Sequence, residues 1–281
     1  MPHRTAPASR RPPRPPRSER REGTRGHWSL FWNLVFGALR FIGKRAHGFY
    51  TTVGLFLLAG VLVAIGGVML FVRLAGSVRE GATQAFDESV MRWVGANPLR
   101  ETLQPVMVEI TMLGTGSVVM AVVVVSGLFL WLTRHKHSAV LLLVATFTGL
   151  VLNNVLKMGF DRPRPRLFEW GTHAMTSSFP SGHAMSAATV YVTVAYLAAR
   201  LQRRRWARWA TVIFALMVVL LIAASRVYLG VHYPSDVAAG VILGTAWAGF
   251  CMAMLEAIQL FARRAGTVAQ QAQEEPAPGG L

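Results

Sequence analysis

The sequence is short of charged residues and of cysteine, and both shortages limit what the chain can be. Asp, Glu, Lys and Arg make up 15% of its 281 residues, whereas a soluble domain carries about 25%. The deficit excludes an ordinary soluble domain and indicates a membrane protein. The single cysteine, Cys251, lies in an apolar run, so an intramolecular disulfide is excluded and the residue is predicted to serve packing.

Acidic residues are the scarcer charged type, with 13 Asp and Glu against 29 Lys and Arg, which gives a net charge of +16. The basic residues concentrate in an N-terminal tail and in short loops, which argues against a nucleic-acid partner. The Arg- and Pro-rich residues 1–27 lack apolar periodicity. We expect them to form a disordered cytoplasmic tail that attracts anionic lipids.

Six runs contain no Asp, Glu, Lys or Arg and are long enough to cross, or nearly cross, a bilayer. These runs are Thr51–Val72, Ile110–Thr133, Ser138–Leu156, His183–Ala199, Trp209–Ser225 and Val237–Leu255. Every backbone polar group in lipid needs an internal partner, so each run is predicted to be helical. The sequence therefore predicts an all-α fold, a bundle of six transmembrane helices over residues 50–262.

Three flanking or connecting segments carry weaker signals. We expect residues 28–49 to lie in the membrane interface and residues 263–281 to be a disordered tail. Within residues 76–109, apolar side chains recur at helical spacing and predict a surface helix that ends near Asn97-Pro98. The side chains are Phe86, Val90, Trp93 and Val94. We interpret this helix as resting on lipid rather than capping a site.

The distribution of basic residues predicts the orientation of the bundle. With six spans, both termini lie on one side of the membrane, together with the loop that contains Arg203–Arg205. This side carries most of the Lys and Arg residues, so the positive-inside rule places it in the cytoplasm of a plasma (inner) membrane. Three polar stretches at the ends of the runs then fall on the opposite, non-cytoplasmic face.

The first polar stretch precedes the fourth run and consists of Pro180, Ser181, Gly182 and His183. Free N–H groups at a helix start carry partial positive charge and bind anions. Ser181 is predicted to be the N-cap, and Gly182 would let a ligand approach the backbone. An ordinary helix cap explains these residues, taken alone, equally well.

The second stretch joins the last two runs and contains Ser225, Arg226, His232 and Asp236. Pro234 suits the first helical position, which puts Asp236 in the first turn and within reach of the His232 ring. A carboxylate bonded to one ring nitrogen leaves the other free as a base or nucleophile. The alternative is a carboxylate that only stabilises the helix N-terminus.

The third stretch follows the third run and offers several cations. Lys157 closes the run, and Arg164 lies between two prolines seven residues later. Lysine at a helix end usually snorkels to the interface, but a lysine point charge beside a planar guanidinium also suits phosphate oxygens. We interpret the neighbouring Arg162 and Arg166 as contacts to lipid headgroups.

The three stretches together resemble the signature of the type 2 phosphatidic acid phosphatase superfamily. The matching positions are Lys157, Arg164, Pro165, Pro180, Ser181, Gly182, His183, Ser225, Arg226, His232 and Asp236. Each motif is weak alone, but the ordered set at span ends is specific. The resemblance covers about residues 50–260. It implies an integral membrane enzyme that removes phosphate from a lipid without a metal or other cofactor.

The resemblance also implies a role for each residue. His232 would attack phosphorus to form a phosphohistidine, with Asp236 orienting its ring, and His183 would protonate the leaving oxygen and later activate water. Lys157, Arg164, Arg226 and the backbone at Ser181–Gly182 would hold the phosphate oxygens. The chain contains the residues for each role.

Three other classes fit the sequence less well. A vanadium haloperoxidase resembles the same motifs but would not carry six spans, and a non-catalytic lipid carrier would be expected to lose His183 or His232. A channel or transporter would carry ionisable residues in mid-span. The lipid stays open among phosphatidate, phosphatidylglycerol phosphate and a polyprenyl diphosphate, and the sequence predicts no oligomeric state.

Overall fold

The structure, a computed structural model, describes residues 49–172 and 176–274. The predicted tail 1–27, almost all of the interfacial segment 28–49 and residues 275–281 lie outside the described residues. Helices are the only regular secondary structure in the described part, and no strand occurs in it. Its helices are α1 (Phe49–Arg79), α2 (Gln84–Gly95), α3 (Arg100–Met112), α4 (Gly116–Leu132), α5 (Lys136–Gly159), α6 (Gly182–Leu201), α7 (Arg205–Tyr228) and α8 (Pro234–Glu274).

Five of these helices are long and apolar enough to cross a membrane by themselves. Their spans are Leu57–Arg79, Lys136–Gly159, Gly182–Leu201, Arg205–Tyr228 and Pro234–Gln259. Helices α3 and α4 meet the same criterion as a pair and are bent by 42° where they join. With this bent pair counted as one span, the predicted all-α, six-span bundle is confirmed.

The second predicted span, Ile110–Thr133, is wrong as a single uninterrupted helix. The chain leaves helical geometry between α3 and α4, where Thr115 has an extended backbone (φ −69°, ψ 151°). Gly114 lies in the break, and a Cβ atom there would come within 2.6 Å of Ile222 Cγ2 and 3.3 Å of His183 Cδ2. The break therefore brings the backbone against α7 and against a predicted site residue, which a side chain at Gly114 would obstruct.

The predicted surface helix exists as α2 and ends at Gly95, close to the expected position. The interpretation that it rests on lipid alone is wrong. Its buried face carries Asp87, Met91 and Val94, while Phe86 and Trp93 point outward and are 63% and 70% exposed. Because helix positions i, i+4 and i+7 share a face, the inward stripe starts with a carboxylate that the apolar spacing did not single out.

The C-terminal segment is also more ordered than predicted. Helix α8 continues to Glu274, so residues 263–274 of the predicted disordered tail 263–281 are helical. Residues 263–274 are rich in Ala and Gln, which favour helix in the absence of proline. The polarity of this segment was therefore a poor guide to its conformation.

Helices α6 and α8 approach each other unusually closely near their starts. A Cβ atom on Gly244 would lie 2.4 Å from the carbonyl oxygen of Met185, and one on Gly240 would lie 2.6 Å from that of Ser181. Small residues permit this backbone approach between membrane helices. As a result the Ser181 N–H donates to the Asp236 carbonyl oxygen at 3.0 Å, which joins two of the predicted motifs.

An aromatic cluster fixes the loop between α5 and α6 to the first span. Phe71 of α1 stacks on Phe179 with ring centroids 5.8 Å apart, and Phe160 packs 4.8 Å from Phe179. Phe179 is fully buried. Aromatic contacts of this kind add to the burial of apolar surface, so this loop, which carries part of the third motif, has a fixed position against the bundle.

Candidate active site

The predicted motifs meet at one end of the bundle. Lys157 lies in the last turn of α5 and Arg226 in the last turn of α7, while Asp236 lies in the first turn of α8, which starts at Pro234 as predicted. A Cβ atom on Gly182, the first residue of α6, would lie 3.6 Å from the Lys157 Cε atom. Two helices that end and two that begin thus bring their polar termini together.

His232 lies in the tight connection between α7 and α8 and is 2% exposed. Its Nδ1 atom is 2.8 Å from the Ser178 carbonyl oxygen, and its Nε2 atom is 3.3 Å from Nη1 of Arg164. A carbonyl oxygen only accepts hydrogen bonds, so Nδ1 carries the hydrogen and Nε2 presents its lone pair. Burial lowers the pKa of His232 to about 4, so the ring is neutral at physiological pH.

Asp236 does not make the ring bond that the sequence predicted. Its Oδ2 atom is 3.6 Å from Nδ1 of His232, which is beyond hydrogen-bond distance. Oδ2 instead accepts from the Tyr233 N–H at 2.9 Å and from the Ser178 hydroxyl. The carboxylate therefore acts on the His232 ring through Ser178 and through its charge.

The interpretation of Arg162 as a headgroup contact is wrong. Its side chain is 11% exposed and lies between two fully buried carboxylates, with Nη2 2.8 Å from Asp87 Oδ2 and Nη1 2.5 Å from Asp236 Oδ1. Nη1 also donates to the Ser235 hydroxyl at 2.8 Å. Burial alone would lower the pKa of Arg162, but the carboxylates of Asp236 and Asp87 outweigh it and raise the pKa. This guanidinium is thus committed to protein partners.

The three predicted phosphate-binding cations are each held by a neighbour. Lys157 Nζ donates to the Thr176 hydroxyl at 3.0 Å, and Arg164 Nε donates to the Thr176 carbonyl oxygen at 2.8 Å. Arg226 is buried, and its Nη1 donates to the Thr111 hydroxyl at 3.0 Å. Burial lowers the pKa of Arg164, although a guanidinium stays charged at neutral pH. The three charges lie close enough to repel one another, so an anion among them would be stabilised.

The start of α6 lies beside these cations. Ser181 is at the N-cap position as predicted, but its side chain makes no capping bond. Among the described residues, Ser181 Oγ, Arg226 Nε and Asn153 Oδ1 are buried atoms without a hydrogen-bond partner. Buried polar atoms are normally paired, and a tetrahedral oxyanion is a group that would accept from a serine hydroxyl and a guanidinium.

His183, in the first turn of α6, is partly buried. It lies near the Gly114 break, and its ring is within electrostatic range of His232 and Arg226. The site therefore contains two imidazoles, one with a defined unprotonated nitrogen, beside three cations. Such an arrangement can support attack on a phosphate group and proton transfer to or from it.

Several residues of this site were not predicted, and each of them holds a predicted residue in place through a hydrogen bond. Thr111, Thr176 and Ser178 position the predicted residues through hydroxyl or backbone groups, and Asp87 does so from α2. Of these residues, only Asp87 could have been found from the sequence, because it is the one acidic residue in the helical stripe with Met91 and Val94.

Groups of His, Cys, Asp or Glu suited to hold a metal ion are absent from the described residues.

Comparison with known proteins identifies a family and several relatives that the chain is similar to. A family model described as the PAP2 superfamily matches residues 138–259. The chain is 36% identical over 178 residues to phosphatidylglycerophosphatase B of Bacillus subtilis (strain 168), covering 63% of this chain and 86% of that protein. It is 32% identical over 137 residues to undecaprenyl-diphosphatase of Sulfolobus acidocaldarius, covering 47% of this chain and 62% of that protein.

The fold is similar to a solved structure as well. The crystal structure of a transmembrane PAP2-type phosphatidylglycerolphosphate phosphatase from Bacillus subtilis aligns with a TM-score of 0.65 and 32% sequence identity. The alignment covers 70% of this chain and 98% of that one. The likeness therefore extends over nearly the whole of the solved chain.

Proposed function

The chain belongs to the PAP2 superfamily, and we propose that it is an integral membrane phosphatase that hydrolyses the terminal phosphate of a lipid phosphate or diphosphate. One observation carries this proposal: the unprotonated Nε2 of His232 lies 3.3 Å from Nη1 of Arg164, inside a group of cations at one end of the bundle. A neutral, buried imidazole in that position is suited to attack phosphorus.

In the first proposed step, the Nε2 lone pair of His232 forms a bond to phosphorus while the bond from phosphorus to the lipid oxygen breaks. The Ser178 carbonyl oxygen holds the Nδ1–H, and this keeps Nε2 directed at the substrate. As the ring becomes cationic, the buried negative charge of Asp236 near it stabilises the phosphohistidine.

His183 has the complementary task of moving protons. It gives a proton to the departing lipid oxygen, and in the second step it takes one from the water that attacks the phosphohistidine. Phosphate then leaves, and His232 returns to its neutral form. His183 lies beside the Gly114 backbone, and its ring is within electrostatic range of His232 and Arg226.

The cations and the start of α6 hold the phosphate oxygens. Lys157, Arg164 and Arg226 neutralise the negative charge, and Ser181 and Gly182 contribute the hydroxyl and backbone N–H groups at the positive end of α6. Phosphoryl transfer depends mainly on positioning and on charge neutralisation. The unpaired Ser181 Oγ and Arg226 Nε supply two donors for these oxygens.

The depth of the site favours a lipid substrate. Its residues lie within a turn or two of the ends of membrane-spanning helices, where the phosphate of a lipid resides while its chains stay in hydrocarbon. The names of the relatives above refer to phosphatidylglycerophosphate and undecaprenyl diphosphate, and phosphatidate is a third candidate. Binding of the chains would orient the reacting group, so a truncated substrate should lose rate as well as affinity.

The orientation proposed for the bundle follows from its charges. We place the termini in the cytoplasm and the site on the non-cytoplasmic face of the plasma (inner) membrane, since the basic tail lies at the N-terminus. The tail would also contact anionic lipids of the cytoplasmic leaflet. Substrate would then be consumed in the outer leaflet of that membrane.

The experiment for this function is phosphate release by the purified protein in detergent or bilayers. Three long-chain substrates, namely phosphatidylglycerol phosphate, undecaprenyl diphosphate and phosphatidate, are compared with glycerol phosphate and glucose phosphate. We expect kcat/KM at least on the order of 10²-fold higher for one or more of the lipids. Equal efficiency on the soluble esters would refute the lipid assignment, and inactivity of purified, folded protein on every substrate would refute the phosphatase.

A further inference from the structure

Helix α2 contributes a buried carboxylate to the site from outside all three motifs. Asp87 is fully buried, although α2 is amphipathic and its neighbours Phe86 and Trp93 are largely exposed. Burying a carboxylate is costly unless it is paired and hydrogen-bonded. The cost is offset here by contacts to two other elements, which shows that Asp87 is held in a defined place.

One partner of Asp87 is Arg162, which bridges it to Asp236. The two outer nitrogens of the guanidinium reach one carboxylate each, at 2.8 Å to Asp87 and 2.5 Å to Asp236. The ring of Tyr233 covers the guanidinium, 4.4 Å away. A planar fork with fixed donors suits this task, whereas a lysine ammonium is a single point charge.

The second partner of Asp87 is the first turn of α8. Asp87 Oδ1 accepts from the Ser235 N–H at 3.0 Å, and Oδ2 accepts from the Ser235 hydroxyl at 2.5 Å. Ser235 directly precedes Asp236, so Asp87 fixes the backbone that carries Asp236 as well as the cation that pairs with it. Two independent connections therefore run from α2 to the same carboxylate.

From Asp236 the contacts continue to His232. The Ser178 hydroxyl donates to Asp236, and the Ser178 carbonyl accepts from His232 Nδ1. A continuous set of polar contacts thus links α2 to the ring that we assign as the nucleophile. Arg162 differs in this from Arg164, which contacts the ring directly.

We propose that Asp87 and Arg162 are a positioning pair that holds Asp236 and, through Ser178, the His232 ring in the geometry for attack on phosphorus. This inference rests on the function proposed above. Neither residue touches the phosphate, because both side chains of the pair are occupied by protein partners. Their loss should lower the rate of the chemical step and leave substrate binding nearly unchanged.

The test uses two substitutions that preserve size or charge. Asp87→Asn keeps an acceptor for the Ser235 N–H but removes the charge facing Arg162, and Arg162→Lys keeps the charge but loses the fork. Matched controls are Asp161→Asn, an exposed aspartate in the same loop as Arg162, and Arg92→Gln, an exposed residue of α2. For each variant, the amount of protein that elutes as a single folded species is compared with that of the wild type.

We expect Asp87→Asn and Arg162→Lys each to lower kcat at least about tenfold, with KM within about twofold of the wild type. The double variant should be little worse than either single variant, because the two residues act as one unit. The controls should retain wild-type kcat. Unchanged kcat in both variants, or a loss confined to KM, would overturn the proposal.

A second readout does not depend on turnover. In protein with isotopically labelled histidine, the ring nitrogen signals of His232 report which nitrogen carries the hydrogen, with His232→Gln for assignment. Asp87→Asn should shift these signals while the hydrogen stays on Nδ1, and Asp161→Asn should leave them unchanged. Inactivity of the wild type on every lipid would refute the proposed function, but the signal shift would still test whether Asp87 and Arg162 position the His232 ring. The absence of a shift in Asp87→Asn would overturn the proposal of a positioning pair.

Discussion

The Nδ1 atom of His232 lies 2.8 Å from the carbonyl oxygen of Ser178. The hydrogen-bond partner of Nδ1 is thus this backbone carbonyl and not the nearby Asp236 carboxylate, which lies 3.6 Å away. Because a carbonyl oxygen has no hydrogen to give, it fixes one tautomer of the neutral imidazole. The free nitrogen is therefore defined by the fold of the loop before α6, and Asp236 is left to act by charge and by holding Ser178.

Because Ser178 fixes the tautomer and Asp236 supplies the charge, the effect of Asp236→Asn can be predicted. The substitution should lower kcat by a factor on the order of 10²–10⁴, as for other carboxylates that support a histidine. The cause is loss of the charge that pairs with Arg162 and that, in the proposed mechanism, stabilises the cationic phosphohistidine. The ring nitrogen signals of His232 should still report hydrogen on Nδ1. A switch of tautomer in this variant would mean that Asp236, rather than Ser178, controls the ring.

The pKa of His232 predicts the response to acid. Burial lowers this pKa to about 4, from about 6.5 in an unfolded chain. The neutral ring should thus persist as the pH falls well below 6.5, and NMR titration of labelled histidine, with His232→Gln for assignment, measures the midpoint directly. A midpoint near 6.5 would contradict the burial that we describe.

The same shift has a consequence for stability, whose sign follows from proton binding. Between pH 6.5 and about 4 the unfolded chain binds a proton at His232 that the folded protein excludes. The contribution of His232 to the free energy of unfolding is therefore complete above about pH 6.5 and is lost as the pH falls towards 4. His232→Gln should reduce the loss of stability over that interval, measured by thermal unfolding in detergent.

The cation cluster predicts that divalent metals are not required. In the proposed mechanism, Lys157, Arg164 and Arg226 supply the positive charge that metal ions supply in other phosphoryl-transfer enzymes. Phosphate release should continue in excess chelator, and vanadate should inhibit it, since vanadate adopts a geometry similar to that of the transferring phosphoryl group. Activity that disappears in chelator and returns with magnesium would contradict this account.

The orientation can be tested with single cysteines in a Cys251→Ser background, since Cys251 is a buried free cysteine. Glu169 lies in the loop before α6, Arg203 lies between α6 and α7, and both are exposed. An impermeant thiol reagent applied to intact cells, with any outer membrane permeabilised, should label Glu169→Cys and spare Arg203→Cys. The reverse pattern would place the site in the cytoplasm.

The features that the sequence predicted well are those that depend on local pattern. Long uncharged runs require helices in lipid, and motifs at the ends of antiparallel spans meet at one end of the bundle. That reasoning brought Lys157, His183 and Asp236 together correctly. It also located the start of α8 at Pro234, because proline suits the first helical position.

The features that it missed depend on tertiary contacts or on backbone groups. Arg162 and Asp87 are 75 residues apart in the chain, and neither periodicity nor charge pattern reports their pairing. Every residue has a backbone carbonyl, so the role of the Ser178 carbonyl cannot be predicted from the sequence. The break at Gly114 was hidden because the run around it carries no charged residue, and the close approach of Ile222 and His183 is visible only in the structure.

The central claim, that His232 is the nucleophile, is tested most directly by trapping the phosphoenzyme. The purified protein is mixed with a lipid phosphate labelled in its terminal phosphate, quenched rapidly and digested to locate the label. We predict an alkali-stable, acid-labile phosphohistidine at His232, and its absence, with loss of turnover, in folded His232→Ala. Label on another residue, or near-normal turnover by His232→Ala, would contradict the mechanism.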